Sequence, residues 1–338
     1  VTPSTLFPFI VGKYVWFRTS IDLALIATLL GIFFSKESLS VIGHKSLVIL
    51  RHPLVIAVGI FTGIFLLAGF FGVDPHFSFW SNFERGEGSV QILHLFVFFL
   101  LSVFLFREEK DWRKIFGWVL VGALLMALYG LFAGLGIKGF VGSQFGTGFR
   151  FEGSIGNPAY VAAFALFALF YIAYLIVSKY SKRIFSFVPI LLMILGITLF
   201  VVFIFAATRG AFLGLLGAIC VGGVYIAWQH KSWRKWLLTS IAGLLILVSV
   251  GVGFKDASFI KRLPVARLFD ISFTTKTFGD RAIMWQSAFE GWKARPVLGW
   301  GPENFIHVFD THFNTAYFNP SEGFGAWFDR AHSIVFDY

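Results

Sequence analysis

The strongest constraint on this chain is a series of apolar runs, most of them near the about 20 residues a helix needs to cross a hydrocarbon layer. They cover Tyr14 to Phe34, Pro53 to Val73, Val90 to Phe106 and Ile115 to Gly136, then Pro158 to Val177, Ile184 to Ala207, Ala211 to Gln229 and Trp236 to Phe254. Inside lipid there is no water for backbone amides, so each run must satisfy its own N–H and C=O groups as helix. The sequence therefore predicts an all-α fold, a polytopic transmembrane helical bundle of about eight spans over residues 1–254. Composition agrees: 57% of residues are hydrophobic, 14% are charged and the mean hydropathy is +0.79. Such values exclude an ordinary soluble domain.

Residues 255–332 break the pattern and read as one long, partly helical extracytoplasmic loop. Residues 333–338 open another apolar run, the start of a further, truncated span. A sequence that begins at Val1 without methionine and stops inside such a run is expected to be a piece of a longer protein. The formal charge of +10 comes from short basic clusters at span ends, which points to topology and lipid headgroups and away from nucleic acid. A single cysteine, Cys220, allows no disulfide within the chain.

Those clusters alternate. Lys36, Lys45 and Arg51 follow the first run, Arg107, Lys110, Arg113 and Lys114 the third, Lys179, Lys182 and Arg183 the fifth, and Lys231, Arg234 and Lys235 the seventh. Positive loops stay in the cytoplasm, so the other connections face outward. FERGEG with Arg85, GFRFEGSIGNP with Arg150, TRG with Arg209, and the long loop with Arg281 and His332 thus fall on one side. The glycine-rich stretch Gly134 to Gly148 lies there too.

Chemistry is expected on that face. Arg209 heads the seventh helix, where unpaired N–H donors and the positive dipole end add to a guanidinium and suit a phosphate. It is equally readable as an interfacial arginine meeting headgroups. Asn157 and Pro158 read as N-cap and first residue of the fifth span, leaving Arg150 to reach a ligand or to pair with Glu152. Asp280 reads as the N-cap of a helix stopped by Pro296, with Arg281 and Trp285 one turn apart on one face. Trp285 could stack on a guanidinium or a sugar, or simply anchor an interfacial helix. His332 sits where the loop meets the next apolar run, as a proton acceptor or a structural histidine, with Asp329 and Arg330 beside it. Trp300, Phe305, Tyr317, Phe318, Trp327 and Phe328 could stack on sugars or on a lipid chain, or form the loop's own core. His307, Asp310 and His312 do not make a metal site on one helix, because His312 is turned about 140° from His307.

The order TRG at 208–210, DRAIMW at 280–285, PVLGWGPENF at 296–305 and AHS at 331–333 resembles the bacterial O-antigen ligase and polysaccharide polymerase family. The resemblance runs from about Arg85 onward. It implies a membrane glycosyltransferase of the bacterial cytoplasmic membrane that moves a glycan from a polyprenyl-pyrophosphate carrier, as in lipopolysaccharide and polysaccharide biosynthesis. The acceptor would be a lipid-core, glycan or protein hydroxyl on the extracytoplasmic side. By that resemblance the catalytic residues are His332, Arg209 and Arg281, the arginines on the pyrophosphate and the histidine on the acceptor. Arg85, Arg150 and Trp285 are expected to bind substrate. No cofactor and no metal are expected, since fixed guanidinium groups can take the charge of a leaving diphosphate. Attack from the opposite face of the sugar implies inversion. Within the family, polymerases and protein O-oligosaccharyltransferases share the motifs. Outside it, a transporter or flippase of lipid-linked glycans would need charges deep in the spans, for which only Arg18 and Asp22 qualify. A sensor or assembly protein whose outer region binds a partner is the third reading.

Overall fold

The computed structural model of the protein describes residues 9–35, 47–83, 85–146, 148–261, 266–270, 276–317 and 327–337. Lys36, Lys45 and Phe318 lie outside the described residues. Among the described residues all regular structure is helical, so the chain is an all-α membrane bundle. In chain order the helices are α1 (Val11–Phe33), α2 (Pro53–Phe70), α3 (Pro75–Trp80), α4 (Ser89–Leu105), α5 (Glu109–Gly134), α6 (Pro158–Tyr180), α7 (Phe187–Ala206), α8 (Arg209–Gln229) and α9 (Arg234–Gly253). Short turns α10 (Ser258–Lys261) and α11 (Ala266–Phe269) lead to α12 (Lys276–Ala294), α13 (Phe305–Thr311) and α14 (Ile334–Asp337). Among the described residues seven helices are long and apolar enough to span: α1, α2 and α5 to α9. The eighth expected span, α4, has 17 residues, the lower end of the crossing range.

The starts of the helices follow capping chemistry. Pro53, Pro75 and Pro158 each occupy the first turn, where a missing N–H costs nothing. Ahead of them, His52 accepts from the Leu54 amide, Asp74 from Phe77 at 2.9 Å, and Asn157 from Ala159 at 2.9 Å. Glu108 and Asp111 form a reciprocal capping box at the start of α5. One start differs from expectation: α12 begins at Lys276, four residues before the Asp280 expected to cap it. Gly279 costs a helix only about 1 kcal/mol against alanine, and no proline stands before Asp280 to stop it.

The chain divides into two compact units, residues 1–107 with 273–338, and residues 108–272. The second is built on α6, whose buried Val161, Ala162, Ala165, Ala168, Ile172 and Leu175 repeat at three- and four-residue spacing along one face. Small residues let helix backbones approach closely, which supplies the van der Waals contact that replaces hydrophobic drive in lipid. Against that face pack Leu199, Val202, Phe203 and Ala206 of α7 and Leu120, Ala123, Met126 and Ala127 of α5. The segment before α6 is pinned to α5, since a Cβ on Gly130 would lie 2.2 Å from the Phe151 ring. Arg150 is thereby held at one end of α7.

In the first unit α4 packs on both α1 and α2, and α12 packs on α13 and α14. The loop GWGPEN is fastened to the corner between α2 and α3. The Val73 amide donates to the Trp300 carbonyl at 2.9 Å, and fully buried Asn304 donates to Ser78 Oγ and the Trp300 carbonyl, each at 2.9 Å. Gly301 has φ +95°, and a Cβ there would lie 2.7 Å from the Gly72 Cα. We expect Gly301→Ala to destabilise the protein by about 2–4 kcal/mol, from left-handed strain plus backbone overlap. Thermal unfolding in nanodiscs measures it, and a shift no larger than that of Gly253→Ala, which has open space, would contradict this packing.

Candidate functional site

Each unit gathers a set of charged side chains. In the first, the segment Asp329 to Asp337 is held from several directions. Arg85 Nε and Nη2 donate to the two carboxylate oxygens of Asp329 at 2.5 and 2.9 Å, a bidentate pair. Burial opposes the Arg85 charge, but the Asp329 hydrogen bonds and charge outweigh it and hold the guanidinium above its ordinary range. The same pairing overcomes burial at Asp329 and holds its carboxyl below the usual range. Arg330 is bound twice, by Glu303 through Nη2 and by Glu87 through Nη1 at 2.7 Å. Glu303 stands at φ +66° at the end of the glycine turn, and its other oxygen accepts from Ser81 Oγ at 2.5 Å. With Arg330 18% and Glu303 10% exposed, this pair is largely out of water, so loss of either charge would strand the other.

His332 lies at the tip of this segment. Its backbone is left-handed, φ +53°, and its side chain is exposed. The turn is made by neighbours. Asp337 accepts from the Ala331 amide at 2.7 Å and the Ser333 amide at 3.1 Å, and Trp285 Nε1 donates to the Ala331 carbonyl at 3.0 Å. Trp285 also stacks on Phe336, centroids 5.9 Å apart, and Phe328 meets the imidazole edge-on at 5.7 Å. Partial loss of water and then the Arg281 charge hold the imidazole below its ordinary range, against the pull of Asp329 and Asp337, with Arg85 adding to the lowering. Arg281 itself is exposed and makes no side-chain hydrogen bond or ion pair among the described residues. A neutral imidazole beside an uncommitted guanidinium can take a proton from one group while the cation faces an anion.

The second unit holds the other two predicted residues. The turn AATRG forms as expected: α7 ends at Ala206, Ala207 is left-handed with φ +47°, and Arg209 opens α8 after Thr208. Arg209 Nη1 donates to the Asp270 carbonyl at 2.6 Å and lies 3.3 Å from its carboxylate, whose other oxygen is 3.2 Å from Lys255 Nζ. Arg150 caps the end of α7, with its guanidinium on the Ala206 carbonyl at 3.2 and 3.3 Å and on Thr208 Oγ1 at 3.3 Å. Burial, then Arg267, hold Arg150 below its ordinary range, opposed by Glu152 and reinforced by Arg209. Cations thus crowd around the first turn of α8, where three are close enough to repel: an arrangement that an anion relieves.

Of the six residues the sequence singled out, the first unit brings Arg85, Arg281, Trp285 and His332 around one segment, and the second brings Arg150 and Arg209 together. Arg85 and Trp285 are engaged by protein: one by Asp329, the other by Ala331 and Phe336. Glu87, Glu303 and Asp337 in the first unit and Lys255, Arg267 and Asp270 in the second were not foreseen. A signal existed for the carboxylates: a weakly charged chain that holds Arg330 in a packed loop needs acids to pair it. Asp310 and His312 are engaged separately. Asp310 accepts from Trp327 Nε1 at 2.9 Å and His312 lies edge-on to Trp300. Among the described residues no group of three or more His, Cys, Asp or Glu side chains could hold a metal ion.

Residues 194–338 match the family model described as O-antigen ligase. That segment contains TRG, α12, the glycine turn and the His332 segment. No curated protein and no solved structure matches the chain.

Proposed function

We propose, from the match of residues 194–338 to the O-antigen ligase family model, that this multi-pass membrane protein is a glycosyltransferase. It moves a glycan from a polyprenyl-pyrophosphate carrier to an acceptor hydroxyl on the outer face of the bacterial cytoplasmic membrane. The observation that carries this reading is the exposed His332 imidazole, fixed in its turn by Trp285 and Asp337 and held below its ordinary pKa by partial loss of water and then by Arg281.

In the proposed step an acceptor hydroxyl gives its proton to the free ring nitrogen of His332 while its oxygen bonds to the anomeric carbon. The bond from that carbon to the phosphate oxygen breaks, and its electron pair leaves with the polyprenyl diphosphate. The new bond forms opposite the old one, so configuration inverts. The family resemblance assigns the diphosphate to Arg209 and Arg281, and a guanidinium stabilises the charge that grows on a leaving anion. Arg150 lies beside Arg209 and raises the positive potential there. Arg85 acts through Asp329, holding the segment that carries the base.

The pH profile tests the assignment of the base. Transfer requires neutral imidazole, so activity rises with pH through the His332 pKa, which lies below the ordinary 6.5. Removing the Arg281 cation relieves repulsion of the imidazolium and raises that pKa. Arg281→Gln should therefore move the acid limb of kcat/KM to higher pH, and Asp329→Asn should move it to lower pH. An acid limb that stays put in both variants removes His332 as the titrating base.

A further inference from the structure

Three stretches of the first unit that lie far apart in the sequence meet at one side chain. Arg330 sends Nη1 to Glu87, in the loop before α4, at 2.7 Å, and Nη2 to Glu303, at the end of the glycine turn. Each carboxylate is anchored from its own side. Glu303 accepts from Ser81 Oγ at 2.5 Å through its other oxygen, and the turn behind it is fastened by Asn304 to Ser78 and by the Trp300 carbonyl to the Val73 amide. The loop of Glu87 is tied down at Gly86, whose carbonyl accepts from Arg18 Nη2 of α1 at 2.5 Å, and a Cβ on Gly86 would lie 2.8 Å from the Tyr14 ring.

The pattern of charge also fixes register. Arg85 and Glu87 of one loop meet Asp329 and Arg330, successive residues of the His332 segment, base on acid and then acid on base. A shift of the segment by one residue would set Arg85 against Arg330 or Glu87 against Asp329, like charge on like, and would leave Glu303 without its cation in a nearly dry site. Glu303 itself stands at φ +66°, a conformation glycine takes freely and glutamate only at a cost. Its bonds to Arg330 and Ser81 offset that cost. His332 follows two residues after Arg330, so the register at 329–330 decides where the imidazole stands. Partial loss of water, and then the charges of Arg281, Asp329, Asp337 and Arg85, act on the ring in that place.

We propose that Glu87 and Glu303, gripping Arg330 between them, are positioning residues for the base: they set the register of the chain at 329–330 and so hold the His332 imidazole where it meets an acceptor hydroxyl. The consequence for transfer rests on the glycan-transfer reading, whereas the placement of the ring does not.

Two readouts test this, and the first needs no turnover. The full chain, labelled with isotopic histidine, is placed in nanodiscs, and the His332 ring signal is identified by NMR through its loss in His332→Asn. The parent should give one His332 signal. Glu303→Gly, which removes the carboxylate and suits the left-handed backbone, should shift or split it. Glu303 and Arg330 line a cavity of about 620 Å³, so formate can enter where the side chain was, and it should restore the parent signal where chloride does not. Arg330→Lys, whose single ammonium cannot bridge two carboxylates as a fork does, should also displace the signal. In the second readout kcat for transfer should fall about 10–100-fold in both variants with the donor KM unchanged, the cost of a base misplaced by about an ångström. Formate should recover kcat several-fold in Glu303→Gly. A purely structural role would instead lower the yield of folded protein, with kcat per folded molecule unchanged and no response to formate. Glu303→Gln carries the same test where the glycine variant does not fold. An undisplaced His332 signal in the Glu303 and Arg330 variants overturns the proposal whatever the rates. A displaced signal restored by formate, in a chain whose parent transfers no glycan, would remove the transfer reading and leave the placement of the ring standing.

Discussion

Replacing His332 with alanine or asparagine lowers the rate of glycan transfer by about 10²–10⁴-fold, the contribution of a positioned general base. The two variants separate chemistry from backbone. His332 is left-handed, a conformation that asparagine tolerates and alanine adopts with some strain. The ring is exposed and touches Phe328 edge-on, so little packing is lost in either case. Asparagine should therefore keep the thermal stability of the parent, within about 0.5 kcal/mol, while losing transfer as fully as alanine. Steady-state transfer with purified variants checks this. A variant that folds normally and retains more than a tenth of the rate would show that some other group takes the proton.

Arg209→Ala carries the second large effect, a loss of about 10²–10³-fold, as expected when a preorganised donor to a developing anion is removed. Its guanidinium is bonded to the Asp270 carbonyl and carboxylate at the first turn of α8, with Lys255 on the other carboxylate oxygen. Arg209→Lys keeps the charge but loses the planar fork that bridges two phosphate oxygens, so it should recover only part of the rate. Inhibition by a polyprenyl diphosphate without glycan should weaken in parallel, and the KM for acceptor should not change. A raised acceptor KM with unchanged diphosphate inhibition would move Arg209 away from the donor.

The spans were legible in the sequence because hydrocarbon leaves the backbone no alternative to helix, and the constraint needs only composition over about 20 residues. The local device at Arg209 was legible for a similar reason: TRG between two apolar runs has to be a turn. The start of α12 was misjudged, since Asp280 is a good cap but nothing before it obliges the helix to begin there. The pairings that build the His332 segment were out of reach. Arg85 and Asp329 lie 244 residues apart, Trp285 and Ala331 lie 46 apart, and no periodicity joins them. The i, i+4 spacing points Trp285 toward Arg281 or a sugar, because such neighbours share a helix face. In the structure its indole N–H is bonded to a carbonyl and its ring faces Phe336, as a buried polar handle requires.

Two opposite local charge balances follow from residues that attracted no notice in the sequence. Asp270 holds Arg209 and Lys255 in one unit, and Glu87 and Glu303 hold Arg330 in the other. Each is ordinary as a single residue. Their effect comes from convergence, which only the folded chain displays.

The central claim is tested most directly by reconstituting the purified chain with a polyprenyl-diphosphate-linked glycan and, in turn, a lipid-core, a glycan and a protein acceptor in the presence of a chelator. Released polyprenyl diphosphate and the anomeric configuration of the product are then followed together. The account predicts one polyprenyl diphosphate released per glycan transferred, an inverted linkage, and no loss on chelation. Retained anomeric configuration, or transfer abolished by the chelator and restored by a divalent cation, would contradict it.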